Sequence, residues 1–257
     1  MPFTRIQSDK LADAVATQIE RLVLRGVLRP GDRLPSERDL SERLGVSRPV
    51  LREAIAAMQE TGLVEARANS GIYIGDVLGS AFSPAIMRLF ATVDEAKFDY
   101  LDFRSDLEGL AAERAARFGS DTDLAVIAEI FARMEAASGK RKAAQEEAAL
   151  DAEFHLAIIE ASHNVIMLHM MRSMFELLHQ GIFYNRQIMF GQKTTRSAIL
   201  GQHAKINTAI QARDGAAARK AVEAHLAYVR DSLRDHMRAK AHEDVAKQRL
   251  HHLRTKK

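Results

Sequence analysis

The sequence predicts a mainly α-helical protein in two parts: an N-terminal trio of short helices with a small β-wing, then an all-α antiparallel helical bundle. Three observations predict it. Apolar residues recur at helical intervals along most of the chain. Short β-like runs flank the stretch Arg67-Ala68-Asn69-Ser70-Gly71. Beyond Pro84 no strand-like alternation appears, and no internal repeat is visible.

From Lys10 to Arg25, Leu11, Val15, Ile19, Leu22 and Val23 recur at helical spacing, with Ser8 or Asp9 placed to cap the start. Gly26 and then Pro30-Gly31 end that helix in a turn. Ser36 followed by Asp39 is an imperfect capping box, which predicts a short helix over about 36–44. Gly45 suits a terminating turn that needs positive φ. Ser47 then caps a helix opening on Arg48 and Pro49, where a missing N–H costs nothing, and Leu51, Ile55 and Met58 form its buried stripe. Thr61-Gly62 stops it, and Leu63 to Ala66 with Ile72 to Ile74 read as a two-stranded wing. This is the layout of a winged helix-turn-helix, which sets one helix end in the DNA major groove.

Asp76 to Pro84 reads as a linker, with a glycine, two serines and a proline. Helical segments follow at about 84–91, 97–118, 121–138, 142–161, 164–190, 194–213 and 215–243. The predicted organisation is therefore 1–75 for DNA binding, 76–84 as linker, 85–243 for effector binding and dimerisation, and 244–257 as a basic, disordered tail.

Bulk composition narrows the classes. With 257 residues, 47% hydrophobic and 28% charged, the chain suits a soluble globular protein of two domains. It has no cysteine, which excludes disulfides and thiolate metal sites, so any metal must rely on imidazole and carboxylate. No signal peptide or membrane-length apolar run is present, so a cytoplasmic location and no membrane partner are expected. A net charge of +3 is too small for bulk attraction to phosphate. Placement of particular arginines matters more.

Arg48 and Arg52 lie at i and i+4, on one face at the start of the second helix of the turn. A guanidinium there reaches guanine O6 and N7 or clamps a phosphate. Arg38 approaches the adjacent backbone, while Ser36 and Ser47 put hydroxyls and helix-terminal amides where phosphates bind. The alternative is a set of solvated, salt-bridged faces beside Glu37, Glu42 and Glu53.

A second constellation lies downstream. Asp151 and His155 sit one helical turn apart, and His203 and His225 each interrupt an apolar stripe on a following helix. Three neutral imidazoles and a carboxylate favour a divalent transition metal, zinc first, with nickel or manganese as alternatives. A buried polar network without metal remains the competing reading, as does a purely structural ion. His163, His169, His179 and His236 read as structural or exposed.

The run Pro30-Gly31-Asp32-Arg33-Leu34-Pro35-Ser36-Glu37-Arg38, with Val46 to Ala54, resembles the winged-helix signature of GntR-type bacterial transcription regulators. That resemblance implies DNA contacts at Arg38, Arg48 and Arg52 and entry of the wing tip, Asn69 and Gly71, into the minor groove. Relatives often carry consecutive glycines at the tip, whereas Asn69-Ser70-Gly71 stands here; asparagine tolerates positive φ, so the turn survives.

The helical part resembles the FCD effector domain of the FadR subfamily, through Phe103 to Gly109, Asp151 to His155, Ala161 to Asn164, His203 and His225-Leu226. Its layout is most similar to the branch of the pyruvate dehydrogenase complex repressor and its lactate- and glycolate-responsive relatives. The resemblance implies that Asp151, His155, His203 and His225 hold the ion and that Arg104 meets the effector's carboxylate. Arg104 could instead form an i,i+4 surface pair with Glu108, and Asn164 either caps the next helix, the preferred reading, or bonds the ligand.

The expected protein is a homodimeric regulator, not an enzyme, that represses from an inverted-repeat DNA operator and is relieved by a small carboxylate such as pyruvate, lactate or glycolate. A helical-bundle metalloenzyme acting on a small acid is the alternative from another class. An amino acid, sugar acid or fatty-acid derivative stays open as effector.

Overall fold

The computed structural model describes residues 8–68, 70–75, 84–138, 144–179 and 193–255. The chain divides into two compact units, Met1–Ala81 and Phe82–Lys257, each with its own apolar core.

In the first unit, α1 (Ser8–Leu24), α2 (Glu37–Leu44) and α3 (Arg48–Glu60) precede an antiparallel pair, β1 (Val64–Arg67) and β2 (Gly71–Ile74). The buried face of α1 is Ala12, Val15, Ile19 and Val23, whereas Leu11 is 45% exposed. Val15, Ile19 and Val23 are thus buried as the spacing predicted, with Ala12 in place of Leu11. Ser36 caps α2 as expected, accepting from the Asp39 amide at 3.2 Å and donating to its carboxylate at 2.8 Å. Gly45 closes α2 at φ 65°, in the left-handed region that the tight turn into α3 requires. Ser47 stands at the N-cap of α3 but its side chain makes no capping bond, contrary to expectation. Pro49 occupies the second helical position and removes one of the two amides a cap hydroxyl can reach. Leu51, Ala54, Ile55 and Met58 bury the inner face of α3 as predicted, which leaves its N-terminal arginines outward. The segment before α2 joins the sheet edge, with Arg33 bridging Tyr73 and Leu34 donating to the Ile72 carbonyl.

The second unit contains α4 (Pro84–Thr92), α5 (Asp94–Phe118), α6 (Asp121–Ala137), α7 (Ala144–Ala161), α8 (Val165–His179), α9 (Lys193–Gln211) and α10 (Gly215–Thr255). The long helix α5 packs against α7, α9 and α10, and α6 covers α7 and α9. Its run of Gly109, Ala111, Ala112, Ala115 and Ala116 is fully or nearly buried, so backbones approach closely. A Cβ on Gly109 would already touch Arg219 and Glu223 of α10 at 3.4 Å. Ser120 and Asp123 complete a reciprocal capping box at the start of α6. Phe154, Ile158, Ile159, Ile199, Ile206, Ile210, Val222 and Leu226 fill the centre of the bundle, which holds the polar cluster described next.

The final helix runs on to Thr255, through the segment expected to be a disordered basic tail. No glycine or proline interrupts Ala216 to Lys257, and Ala, Lys, Arg, Gln and Leu there are all strong helix formers. The linker, most of the expected 76–84, lies outside the described residues, as does the stretch following α8. No described helix is long and apolar enough to cross a membrane.

Candidate functional site

Three helices of the second unit converge on one polar point. On α7, Asp151 and His155 share a face one turn apart; α9 supplies His203 and α10 supplies His225. One ligand-type atom from each of the four lies within 4.8 Å of the others, and all four residues are buried. His203 Nε2 stands 3.3 Å from His155 Nε2 and 3.3 Å from the Asp151 carboxylate, which is 3.8 Å from His155 Nε2. Donors bonded at about 2.1 Å to a common ion are about 3.0–3.4 Å apart at neighbouring corners of its coordination shell. The two 3.3 Å spacings fall in that range, and the one between Asp151 and His155 is longer at 3.8 Å.

Partners outside the cluster orient the rings. His155 Nδ1 donates to Glu108 Oε2 at 2.6 Å, which turns Nε2 and its lone pair toward the cluster. His225 Nδ1 donates to the Gln202 amide oxygen at 2.8 Å, with the same consequence. Burial would raise the Glu108 carboxyl, but the charges of Arg104 and His155 and their hydrogen bonds outweigh it and hold the pKa at about 2. Glu108 is therefore an anion and a full acceptor. Burial pushes the His225 imidazole well below its ordinary 6.5, and the neighbouring His203 and His155 act the same way. A neutral imidazole is the form that binds a metal.

Arg104 is 2% exposed, so it does not form the surface pair weighed above. Its Nε donates to Glu108 Oε1 at 2.5 Å and Nη2 to Oε2 at 3.3 Å, with its plane near the Tyr100 and Phe175 rings. The chain Arg104–Glu108–His155 thus runs from a buried cation to the ligand cluster. Glu147 and Arg196 pair one turn beyond, and with Met134, Ser138, Ile199, Leu200 and His203 they line a cavity of about 20 Å³. Asn164 accepts from the Met167 amide at 3.1 Å, so it caps α8, the preferred of its two readings. Of the other histidines, His163 is exposed and bonds Asp123 at 2.9 Å, and His236 is exposed.

In the first unit, Arg38, Arg48 and Arg52 are all exposed, the latter two on the leading turn of α3. Arg52 Nε meets Glu37 at 2.9 Å, with the arginine side chain still 66% exposed. Such an exposed pair is worth about 0–1 kcal/mol and yields readily to a phosphate or a base. Ser36 and Ser47 flank this surface at the starts of α2 and α3. At the wing, Gly71 is exposed at φ 115°, and a Cβ there would stand 3.1 Å from Arg33 Nε. Arg67 stacks 4.2 Å over the Tyr73 ring. Asn69 lies outside the described residues.

Residues 11–74 match the family described as bacterial regulatory proteins, gntR family, and residues 99–228 match the FCD domain. The chain belongs to the GntR family. This GntR-family regulator is 34% identical over 227 residues to the Glc operon transcriptional activator of Escherichia coli, spanning 88% of the chain and 89% of the relative. It is 34% identical over 229 residues, 88% of the chain and 87% of the relative, to an E. coli protein named for regulation of the L-lactate dehydrogenase operon. The HTH-type transcriptional regulator LutR of Bacillus subtilis is 32% identical over 214 residues, 82% of the chain and 96% of the relative. Among solved structures, the GntR protein of Streptococcus agalactiae superposes with a TM-score of 0.53 at 28% identity, covering 86% of this chain and 99% of that one. These families are transcriptional regulators rather than enzymes, and the winged helix is the regulator's DNA-binding part.

Sequence reasoning missed four participants of this GntR-family chain. Glu108 appeared only as a surface partner for Arg104, although i+4 spacing already linked the two. Gln202, adjacent to His203 in sequence, serves His225 instead, a pairing that only the α9–α10 contact creates. Arg33 and Arg67 bring cations to the wing, and both were visible as basic residues flanking the hairpin.

Proposed function

We propose that this regulator is a homodimer whose operator binding is modulated by a small 2-oxo or 2-hydroxy acid held at a divalent metal in the helical unit. The observation that carries this reading is the convergence of four buried ligating side chains from three helices in a chain with a DNA-binding winged helix. Asp151, His155, His203 and His225 are the ligands, zinc the favoured ion, and nickel or manganese the alternatives. The ion supplies a Lewis-acidic anchor to which a 2-hydroxy or 2-oxo acid chelates through two oxygens. A guanidinium matches the planar carboxylate, so a ligand reaching Arg104 shares it with Glu108. One relative's name includes L-lactate, which supports the same ligand class.

Arg48 and Arg52 read bases from α3, Arg38 with Ser36 and Ser47 fixes the phosphates, and Asn69 and Gly71 bring the wing to the minor groove. Two copies read the halves of an inverted repeat, because the symmetry of a dimer imposes symmetry on its site. Ligand changes DNA affinity only to the extent that it binds the two dimer arrangements unequally. Repression relieved by ligand is the proposed sign.

The test is a thermal-shift screen of glycolate, L-lactate and pyruvate on metal-loaded protein, followed by operator gel shifts with the best ligand. The expected result is a stabilising acid that also alters the shift. His203→Ala should lose bound metal by elemental analysis and lose the response while still binding DNA. Metal-free wild-type protein, purified without chelator, would remove the sensor half of the proposal.

A further inference from the structure

The final helix extends well past the bundle. Leu233 is the last buried residue on α10, Met237 is half-buried, and from Arg238 to Thr255 every residue is exposed. The FCD match ends at residue 228, short of this projection. At about 1.5 Å per residue, a helix of this extent reaches some 25 Å beyond its last packed turn.

Its charge is lopsided. From Arg238 onward the sequence has seven Lys and Arg but only Glu243 and Asp244 as acids, an excess larger than the +3 of the whole chain. The rest of the chain taken together therefore carries a net charge of −2, and residues 1–75 balance eleven Lys and Arg against ten Asp and Glu. On a helical projection the cations fall along two opposite lines, with Arg238 and Arg249 on one and Lys240, Lys247 and Arg254 on the other.

We infer that the exposed end of α10 is an accessory nucleic-acid arm, contacting the phosphates of duplex DNA without reading sequence. This rests on the DNA-binding role already assigned to the chain. Two opposed lines of cations suit a partner that presents charge on both flanks of a groove. Two other occupants fit less well. A second copy of the helix would set like charges against each other, and Val245, Leu250 and Leu253 do not fall into the heptad seam a coiled coil needs. An anionic membrane requires a wide apolar face, and Leu250 and Leu253 share theirs only with Ala239 and Ala246, beside Glu243. Each phosphate contact releases condensed counterions, so such an arm contributes through salt-dependent affinity rather than through specificity.

The experiment compares the full chain with a truncation lacking 238–257 and with a full-length variant carrying Arg238→Gln, Lys240→Gln, Lys247→Gln, Arg249→Gln and Arg254→Gln. The probe is a random-sequence 30-base-pair duplex, titrated by fluorescence anisotropy across a series of KCl concentrations. Both variants should bind about tenfold or more weakly at 100 mM salt, with the slope of log affinity against log salt reduced by about 3. Their melting temperatures and mass by light scattering should match the full chain. Equal slopes and affinities in the three proteins overturn the inference, as does a changed oligomeric mass or transfer of the effect to phosphatidylserine vesicles. Failure of the full chain itself to bind the duplex would instead count against the DNA-binding role.

Discussion

The two units of this regulator treat charge in opposite ways. In the winged helix the functional arginines stand in water, and Arg52, paired with Glu37, is still 66% exposed. In the bundle, Arg104, Glu108, Asp151, His155 and His203 are buried and bonded in one network, and buried His225 beside them is held by Gln202. A surface that must meet a polyanion keeps its cations solvated and cheap to redirect. A site that must hold an ion fixes its ligands beforehand, with each buried charge compensated. Substitutions in the first region should therefore change binding and spare the fold, whereas those in the second should change both.

The contrast is sharpest at Glu108. Replacing it with alanine removes the carboxylate that pairs with buried Arg104, and chemical denaturation should record a loss of about 3–5 kcal/mol. Glu108→Gln keeps the shape and should cost less, while weakening metal affinity about 10–100-fold in a competitive chelator titration. Arg48→Ala comes next. It should weaken operator binding by about 1–3 kcal/mol in anisotropy with the melting temperature unchanged, and a matching loss of stability would break the comparison. Gln202→Ala should leave DNA affinity alone and lower metal affinity by about tenfold, read by the same chelator competition. The smallest effect is at a cap: Ser36→Ala should cost about 1 kcal/mol of stability by losing its bond to the Asp39 amide.

Acid should separate the units as well. Both resolved shifts at the centre are downward, so the unfolded chain binds more protons than the folded one and stability falls on acidification. The His225 contribution is present above pH 6.5 and declines below it, and that of Glu108 declines between 4.5 and about 2. Calorimetry of His225→Gln should show a flatter dependence below pH 6.5, and an unchanged slope would contradict the assignment.

The exposed site was legible in sequence because its parts are local. Caps, Gly45, the Arg48–Arg52 spacing and the hairpin all fall within 36–74, and each has a rule of its own. The errors there were local too: Ser47 without its bond, and Leu11 outside the buried face of α1, where Ala12 stands instead. The ligand cluster was legible as residue types at helical breaks, since a polar group in an apolar stripe needs a reason. What faces those ligands was not, because Glu108 and Gln202 reach their histidines across helix contacts that no spacing encodes. The extended end of α10 was misjudged from charge alone, with its helix-forming composition given too little weight.

The cavity beside His203, at about 20 Å³, is roughly the room of a single water. If a metabolite docks against that wall, the helices must part before it enters, so detection is gated. Uptake should then plateau as effector concentration rises, at the rate of that breathing motion.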